Sequence, residues 1–180
     1  GILTVTGGAA SKLVIVTQPS NTAVAGSVFA QQPQIRIEDQ YGNLRSSDNS
    51  TVVTAARSAG TGTLQGTLSA TAVNGVATFA NLSHNVANTI NLSFSSSGLT
   101  NTTSANIVVS PAVFTQLQLL VPGETAAPGS ASGKTGTPIA QIMGTGFEVT
   151  VNAVDAYWHM VDTVTDTVSL TSTDTSATLP

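Results

Sequence analysis

Short runs of alternating apolar and polar residues recur along the chain, rich in Val, Ile and Thr and separated by Gly, Pro, Asn and Asp. Leu13–Val16 runs into Gln18-Pro19, and Ile35-Arg36-Ile37-Glu38 alternates strictly. Val52-Val53, Leu64–Leu68, Val76–Phe79, Ile90–Phe94 and Ile107–Val109 follow at fairly regular spacing. A period of two marks a half-buried strand, and no window of a dozen residues shows the three-and-four spacing of an amphipathic helix. Asn74-Gly75, set between Ala72-Val73 and Val76-Ala77, is a two-residue hairpin signal, because both residues tolerate positive φ. The pattern predicts an all-β chain of the sandwich or barrel kind. Its expected inward set is Leu13, Ile15, Ile35, Ile37, Val53, Leu68, Phe79, Ile90, Leu92, Phe94, Ile107 and Val109.

The pattern also repeats. Leu117–Pro122 echoes Leu13–Pro19, Ala127-Pro128-Gly129 echoes Val24-Ala25-Gly26, Val149–Tyr157 echoes Pro33–Tyr41, and Thr167–Leu170 echoes Thr51–Thr54. The second copy carries an insertion over Gly129–Thr137, read as a loop, and is expected to stop short at Pro180. Leu3–Ala10 aligns with Ile107–Ala112, so the expected division is residues 1–8 as the last strand and linker of a preceding repeat, 9–110 as one complete sandwich, and 111–180 as the front of a second. A period of roughly 100 residues suits a sandwich and is too long for a solenoid repeat. Pro111 in the short Ser110-Pro111-Ala112 spacer limits bending between neighbours, which predicts a semi-stiff rod.

Composition narrows the function classes. The 180 residues carry 5 Lys plus Arg and 9 Asp plus Glu, a formal charge of −4, and charged residues make up 8% of the chain. Five scattered cations cannot neutralise a run of phosphates, which excludes a nucleic-acid binder. With 41% hydrophobic residues the chain can bury a core, so disorder is not expected. There is no Cys, hence no disulfide, thiolate metal site or thiol nucleophile. Apolar stretches are only a few residues long, against the ~20 of a spanning helix, and the first residues read as a strand, not a signal peptide.

The strings Ala10-Ser11-Lys12-Leu13-Val14, Gln18-Pro19, Ala25-Gly26, Asp39-Gln40-Tyr41-Gly42-Asn43, Gly62-Thr63-Leu64-Gln65-Gly66 and Val73–Phe79 resemble the bacterial immunoglobulin-like repeats, of the Big and invasin-like kind, found in large secreted or surface adhesins. The resemblance covers the first unit and the front of the second. The second departs from it where Trp158-His159 replaces Gly42-Asn43 and in the insertion. It implies tandem immunoglobulin-like β-sandwich domains, an extracellular or cell-surface location, and a non-catalytic, array-forming role in adhesion or as a spacer. Its expected partners are neighbouring repeats of the same chain.

Little chemistry competes with that reading. Gly129–Thr135 has a Pro where a phosphate-binding loop needs its first Gly, and Gly136-Thr137-Pro138 forbids the helix that must follow. His84 and His159 are the only imidazoles and neither lies in a nucleophile motif. Glu38 and Asp39 are adjacent on a strand and point to opposite faces, so they cannot flank one glycosidic bond. Asp39-Gln40-Tyr41-Gly42-Asn43 is most simply a turn. Its functional alternative is structural calcium, with Asp39, Asn43 and Asp48 as oxygen ligands, and Asp155, Asp162 and Asp166 in the second unit; no dense Asp-x-Asp-x-Asp run is present. Lys12 and Asn106 invite an internal amide cross-link, but no acid is obviously placed beside them; a Lys guarding an edge strand is preferred. The Asn-x-Ser/Thr matches at Asn49, Asn81, Asn91 and Asn101 are read as chance in so Ser- and Thr-rich a chain.

Tyr157, Trp158, His159 and Met160 form the aromatic cluster. Tyr157 and Trp158 either stack on a sugar or a partner surface, or cover the end of a sandwich; the second is preferred, because single apolar surface residues are ordinary. The leading expectation is a stalk or spacer. A second is a self-assembling fibre subunit in which Ile2, Leu3, Thr4, Val5 and Thr6 of one molecule fill a strand position in another copy. A third is a carbohydrate-binding module using Tyr157 and Trp158.

Overall fold

A computed structural model describes residues 8–179. It is all-β: the described residues form fifteen strands and no helix. In chain order these are β1 (Ala10–Thr17), β2 (Thr22–Val24), β3 (Gln34–Asp39), β4 (Val52–Ala59), β5 (Leu64–Gln65), β6 (Ser69–Thr71), β7 (Val76–Thr78), β8 (Ser83–His84), β9 (Thr89–Ser95), β10 (Thr102–Thr103), β11 (Ile107–Ser110), β12 (Gln116–Leu120), β13 (Glu124–Ala126), β14 (Lys134–Gly136) and β15 (Thr150–Val154). Ile2–Thr6, the expected donor strand, lies outside the described residues.

Up to Ser110 the strands make two main sheets, β1-β3-β7 and β2-β11-β9-β4-β6. All pairs are antiparallel except β2 with β11, which run parallel. The period-two pattern places alternate residues on one face, and those faces meet. Leu13, Ile35 and Ile37 from the first sheet join Val53, Ala55, Ile90, Leu92, Phe94, Ile107 and Val109 from the second in one buried cluster. Phe79 and Phe94 contact across it with ring centroids 5.5 Å apart. Of the expected inward residues, ten are buried, while Ile15 and Leu68 are half-buried against the cluster. Ala25, Phe29, Leu64, Ala72, Ala77 and Leu82 complete it. The hairpin at Asn74-Gly75 takes positive φ at both residues, 51° and 79°. The run Leu64–Leu68 is split: β5 ends at Gln65, and Gly66 turns with φ +98° before β6.

Beyond Ser110, β12 pairs with β15 and β13 with β14. The β12–β15 register repeats that of β1–β3: Leu13 faces Ile37 and Leu117 faces Ala153, Ile15 faces Ile35 and Leu119 faces Val151. The packing differs. No second sheet among the described residues covers this pair, so Leu117 and Leu119 are about half exposed (49% and 47%), whereas Leu13, the counterpart of Leu117, is 3% exposed and Ile15, the counterpart of Leu119, is half-buried.

Two expectations for this part need correction. The Gly129–Thr137 segment is not simply a loop. Lys134–Gly136 forms β14, paired with β13, and Lys134 Nζ meets Glu124 Oε1 at 2.7 Å. Thr167–Leu170, the echo of Thr51–Thr54, lies in no strand. Earlier in the chain β4 is held by β6 and β9, and nothing described after Pro111 supplies counterparts for them.

Candidate functional site

Two turns of the same build dominate the polar interior. At the end of β3, Asp39 is fully buried and its Oδ1 accepts the backbone N–H groups of Tyr41 and Asn43, both at 2.9 Å. Its Oδ2 accepts Asn43 Nδ2 at 3.0 Å and the Gly8 N–H at 2.9 Å. At the end of β15, Asp155 is equally buried. Its Oδ1 accepts the N–H groups of Tyr157 at 2.8 Å and His159 at 2.9 Å. Its Oδ2 lies 3.1 Å from His159 Nδ1 and accepts the Ala112 N–H at 2.7 Å. Gly42 and Trp158 occupy the same left-handed position, with φ +89° and +68°. Each turn thus ties the chain that enters its first strand, through Gly8 or Ala112, to a buried carboxylate.

The electrostatics follow from these donors. Asn43, through its side chain and then its backbone amide, with Gly8 and Tyr41, holds the Asp39 carboxyl down at about 2 against the opposing effect of burial. For Asp155 burial works upward, and the donors of Ala112, His159 and Tyr157 outweigh it, so this carboxyl too titrates below the ordinary value.

The second turn also reaches back to the first region. His159 is 4% exposed; with Nδ1–H donating to Asp155, its Nε2 accepts the Ala87 N–H at 3.0 Å. That pairing fixes one tautomer, since each ring nitrogen has a partner of the opposite kind. The Tyr157 ring packs on the first region's core against Gly26, where an added Cβ would lie 2.1 Å from the phenol oxygen. The Tyr157 carbonyl accepts the Gly129 N–H at 2.7 Å, and an added Cβ at Gly129 would lie 2.7 Å from Val86 Cγ2. Gly26 is itself held by its N–H to the His84 carbonyl at 2.9 Å. The two regions therefore meet through one cluster in which Asp155 and His159 are buried, Val86, Ala87 and Tyr157 are half-buried, and Gly26 lies at the exposed rim.

His84 is fully buried below this cluster. Its Nε2 bonds the Thr61 carbonyl at 2.8 Å, while Nδ1 has no partner. Burial pushes its pKa down, helped by Arg57 and His159; the Thr61 and Thr63 carbonyls oppose the shift.

The calcium candidates are placed differently from a cation site. Asp39 and Asn43 face each other, but through the amide nitrogen, so the carboxylate meets N–H donors and not fellow oxygens. Asp48 forms its own turn, accepting Ser50 N–H at 3.0 Å, Thr51 N–H at 2.9 Å and Thr51 Oγ1 at 2.6 Å. Asp155 is occupied by the four donors above, and Asp162 is exposed. Among the described residues no three His, Cys, Asp or Glu side chains stand together as a metal-holding group.

The aromatic candidates are covered by their own chain. Tyr157 sits against Gly26, and Trp158 lies over Gly133, where an added Cβ would lie 2.1 Å from the indole. Gly133 also accepts Gln118 Nε2 at 2.8 Å, which closes this side of β12.

Lys12 and Asn106 are not joined. Lys12 Nζ lies 3.6 Å from Glu38 Oε2, and Asn106 Oδ1 accepts Asn91 Nδ2 at 2.9 Å. The acid that the sequence left unplaced is Glu38, 3% exposed and also paired with Arg36. Two shallow depressions, of about 200 Å³ beside Ser69, Phe79 and Asn81 and about 240 Å³ beside Arg57, Thr63 and Leu64, gather no set of convergent ionisable groups. Among the described residues no helix is long and apolar enough to cross a membrane. No protein-family model matches the chain, and no curated protein matches it.

Proposed function

We propose that this chain is a non-catalytic structural segment, built of tandem immunoglobulin-like β-sandwich units and serving as a stalk or spacer of a large extracellular bacterial surface protein. The observation that carries the reading is the repeated turn. Asp39 and Asp155 hold their turns with donors from the same four positions, three backbone amides and one side chain, in the same strand register, and each ties down the amide that leads into its unit. Buried, fully paired carboxylates are suited to fixing one geometry, because the alternatives leave donors unsatisfied in a low-dielectric interior. The junction adds a ring lodged against Gly26 and an imidazole bonded to Ala87, both of which oppose bending. Low charge and the lack of Cys are in keeping with an exported rod. Nitrogen-15 relaxation of the intact chain tests the reading. Strands β1–β11 and β12–β15 should share one rotational correlation time; two separate times would contradict a stiff spacer.

One observation favours a second reading, self-assembly by strand addition. Leu117 and Leu119 occupy core-type positions, yet they are about half exposed on a two-stranded sheet. Sedimentation across a concentration series tests it: association that Leu117→Ser abolishes supports assembly, and a constant monomer opposes it.

A further inference from the structure

The two turns agree in the four bonds to their Asp carboxylate and differ in what stands beyond them. In the second, Tyr157 and His159 are covered by the preceding region. In the first, the same positions are held by Tyr41, 78% exposed, and Asn43, also exposed. Asn43 copies the imidazole's function closely. Its Nδ2 donates to Asp39 Oδ2 as His159 Nδ1 donates to Asp155 Oδ2. Its Oδ1 is then directed away from the carboxylate, as His159 Nε2 is, and Nε2 is the atom that accepts Ala87 N–H. The Tyr41 ring stands in solvent beside the Asn43 acceptor, at the positions from which Tyr157 and His159 meet Gly26 and Ala87 in the other turn.

We propose that the Tyr41–Asn43 turn is a docking face for a unit of the same design as residues 9–110, seated ahead of this one. The occupant presents a left-handed glycine equivalent to Gly26, against which the Tyr41 ring packs, and a backbone N–H equivalent to that of Ala87, which donates to Asn43 Oδ1. Within this chain the Gly26–Ala87 surface is already filled by Tyr157 and His159, so a second intact copy cannot offer it. The inference rests on the tandem-unit reading and adds to it a rule: one turn closes every junction, with His or Asn as the acceptor.

The test uses the full chain extended by a further copy of residues 9–110 placed ahead of Gly7, with the added copy alone isotope-labelled. Amide exchange is read at the added copy's Ala87. Protection at least tenfold above that of the same amide in a chain carrying Tyr41→Ala, together with loss on Asn43→Ala and retention on Asn43→His, supports the proposal. In the unextended chain Tyr41→Ala should leave the melting temperature unchanged, which separates docking from folding. Exchange as fast as in the Tyr41→Ala chain overturns the docking face. If the chain's own Ala87 is still protected there, and exposed by His159→Ala, the stiff-junction reading survives that failure; if neither Ala87 is protected, both fall.

Discussion

Replacing Asp155 by Asn removes a charge and almost no volume, so its effect isolates the hydrogen-bond pattern. The remaining carbonyl oxygen still accepts the N–H groups of Tyr157 and His159. The new amide nitrogen faces two donors, the Ala112 N–H at 2.7 Å and His159 Nδ1 at 3.1 Å. The imidazole can move its proton to Nε2, but that nitrogen then confronts the Ala87 N–H at 3.0 Å. The mismatch is passed on and not removed. Two donors are left without an acceptor, the half-buried Ala112 N–H and one at the buried His159 ring, at roughly 1–3 kcal/mol each, so Asp155→Asn should destabilise by roughly 2–6 kcal/mol. The internal control is Asp39→Asn. There the Asn43 amide can flip and present its oxygen, which leaves only the half-exposed Gly8 N–H unpaired, and the loss should be clearly smaller. Urea unfolding followed by circular dichroism and by the fluorescence of Trp158 measures both. A cost below about 1 kcal/mol for Asp155→Asn, or one no greater than that of Asp39→Asn, would refute the reasoning.

Acid should weaken the fold through His84, whose pKa is depressed in the folded state by burial: stability is complete above its ordinary value of 6.5 and lost as pH falls below it. His84→Phe should flatten the stability-against-pH curve below pH 6.5, and an unchanged slope counts against that assignment. Asp155 adds a second loss at lower pH, because its depressed pKa gives stability that is present above 3.8 and disappears as pH drops through the folded value; Asp155→Ala should remove that limb in an acid titration. Gly26→Ala should cost about 1–2 kcal/mol from its left-handed backbone alone and more from the Tyr157 ring, so in a Tyr157→Ala background its cost should shrink to the backbone part. Asn74→Gly should alter stability by less than about 0.5 kcal/mol while Asn74→Val is costly, as a hairpin with two positive-φ residues requires; thermal melts of both distinguish the outcomes.

The strands were legible wherever one face is buried, because alternation then follows from the pleat: Ile90, Leu92 and Phe94 are the clear case. The Asn74-Gly75 hairpin was legible because few residue pairs accept that backbone. Buried Ala25, Ala55, Ala72 and Ala77 were not, since Ala occurs in the core and on the surface alike and carries little pattern signal. Lys134–Gly136 reads as a loop from propensity, and pairing with Glu124–Ala126 overrides it. The alignment of Val149–Tyr157 with Pro33–Tyr41 could be read from the sequence, and both stretches end in an Asp-held turn. Aligning Trp158 with Gly42 signals a left-handed residue, and aligning His159 with Asn43 signals a shared acceptor for the Asp. The far partner could not be read. A backbone N–H such as that of Ala87 has no residue identity, and it lies 72 positions from His159.

If the buried Asp155–His159 turn holds the two regions in one fixed relation, the separation between them has a single value. Because the chain has no Cys, spin labels can be placed cleanly at Ser58→Cys and Thr125→Cys, both exposed on strands either side of the junction. Pulsed electron-spin measurement of the distance between them tests this directly. One narrow distance distribution that broadens on His159→Ala is expected; a distribution already broad in the otherwise unaltered chain would rule out a fixed junction.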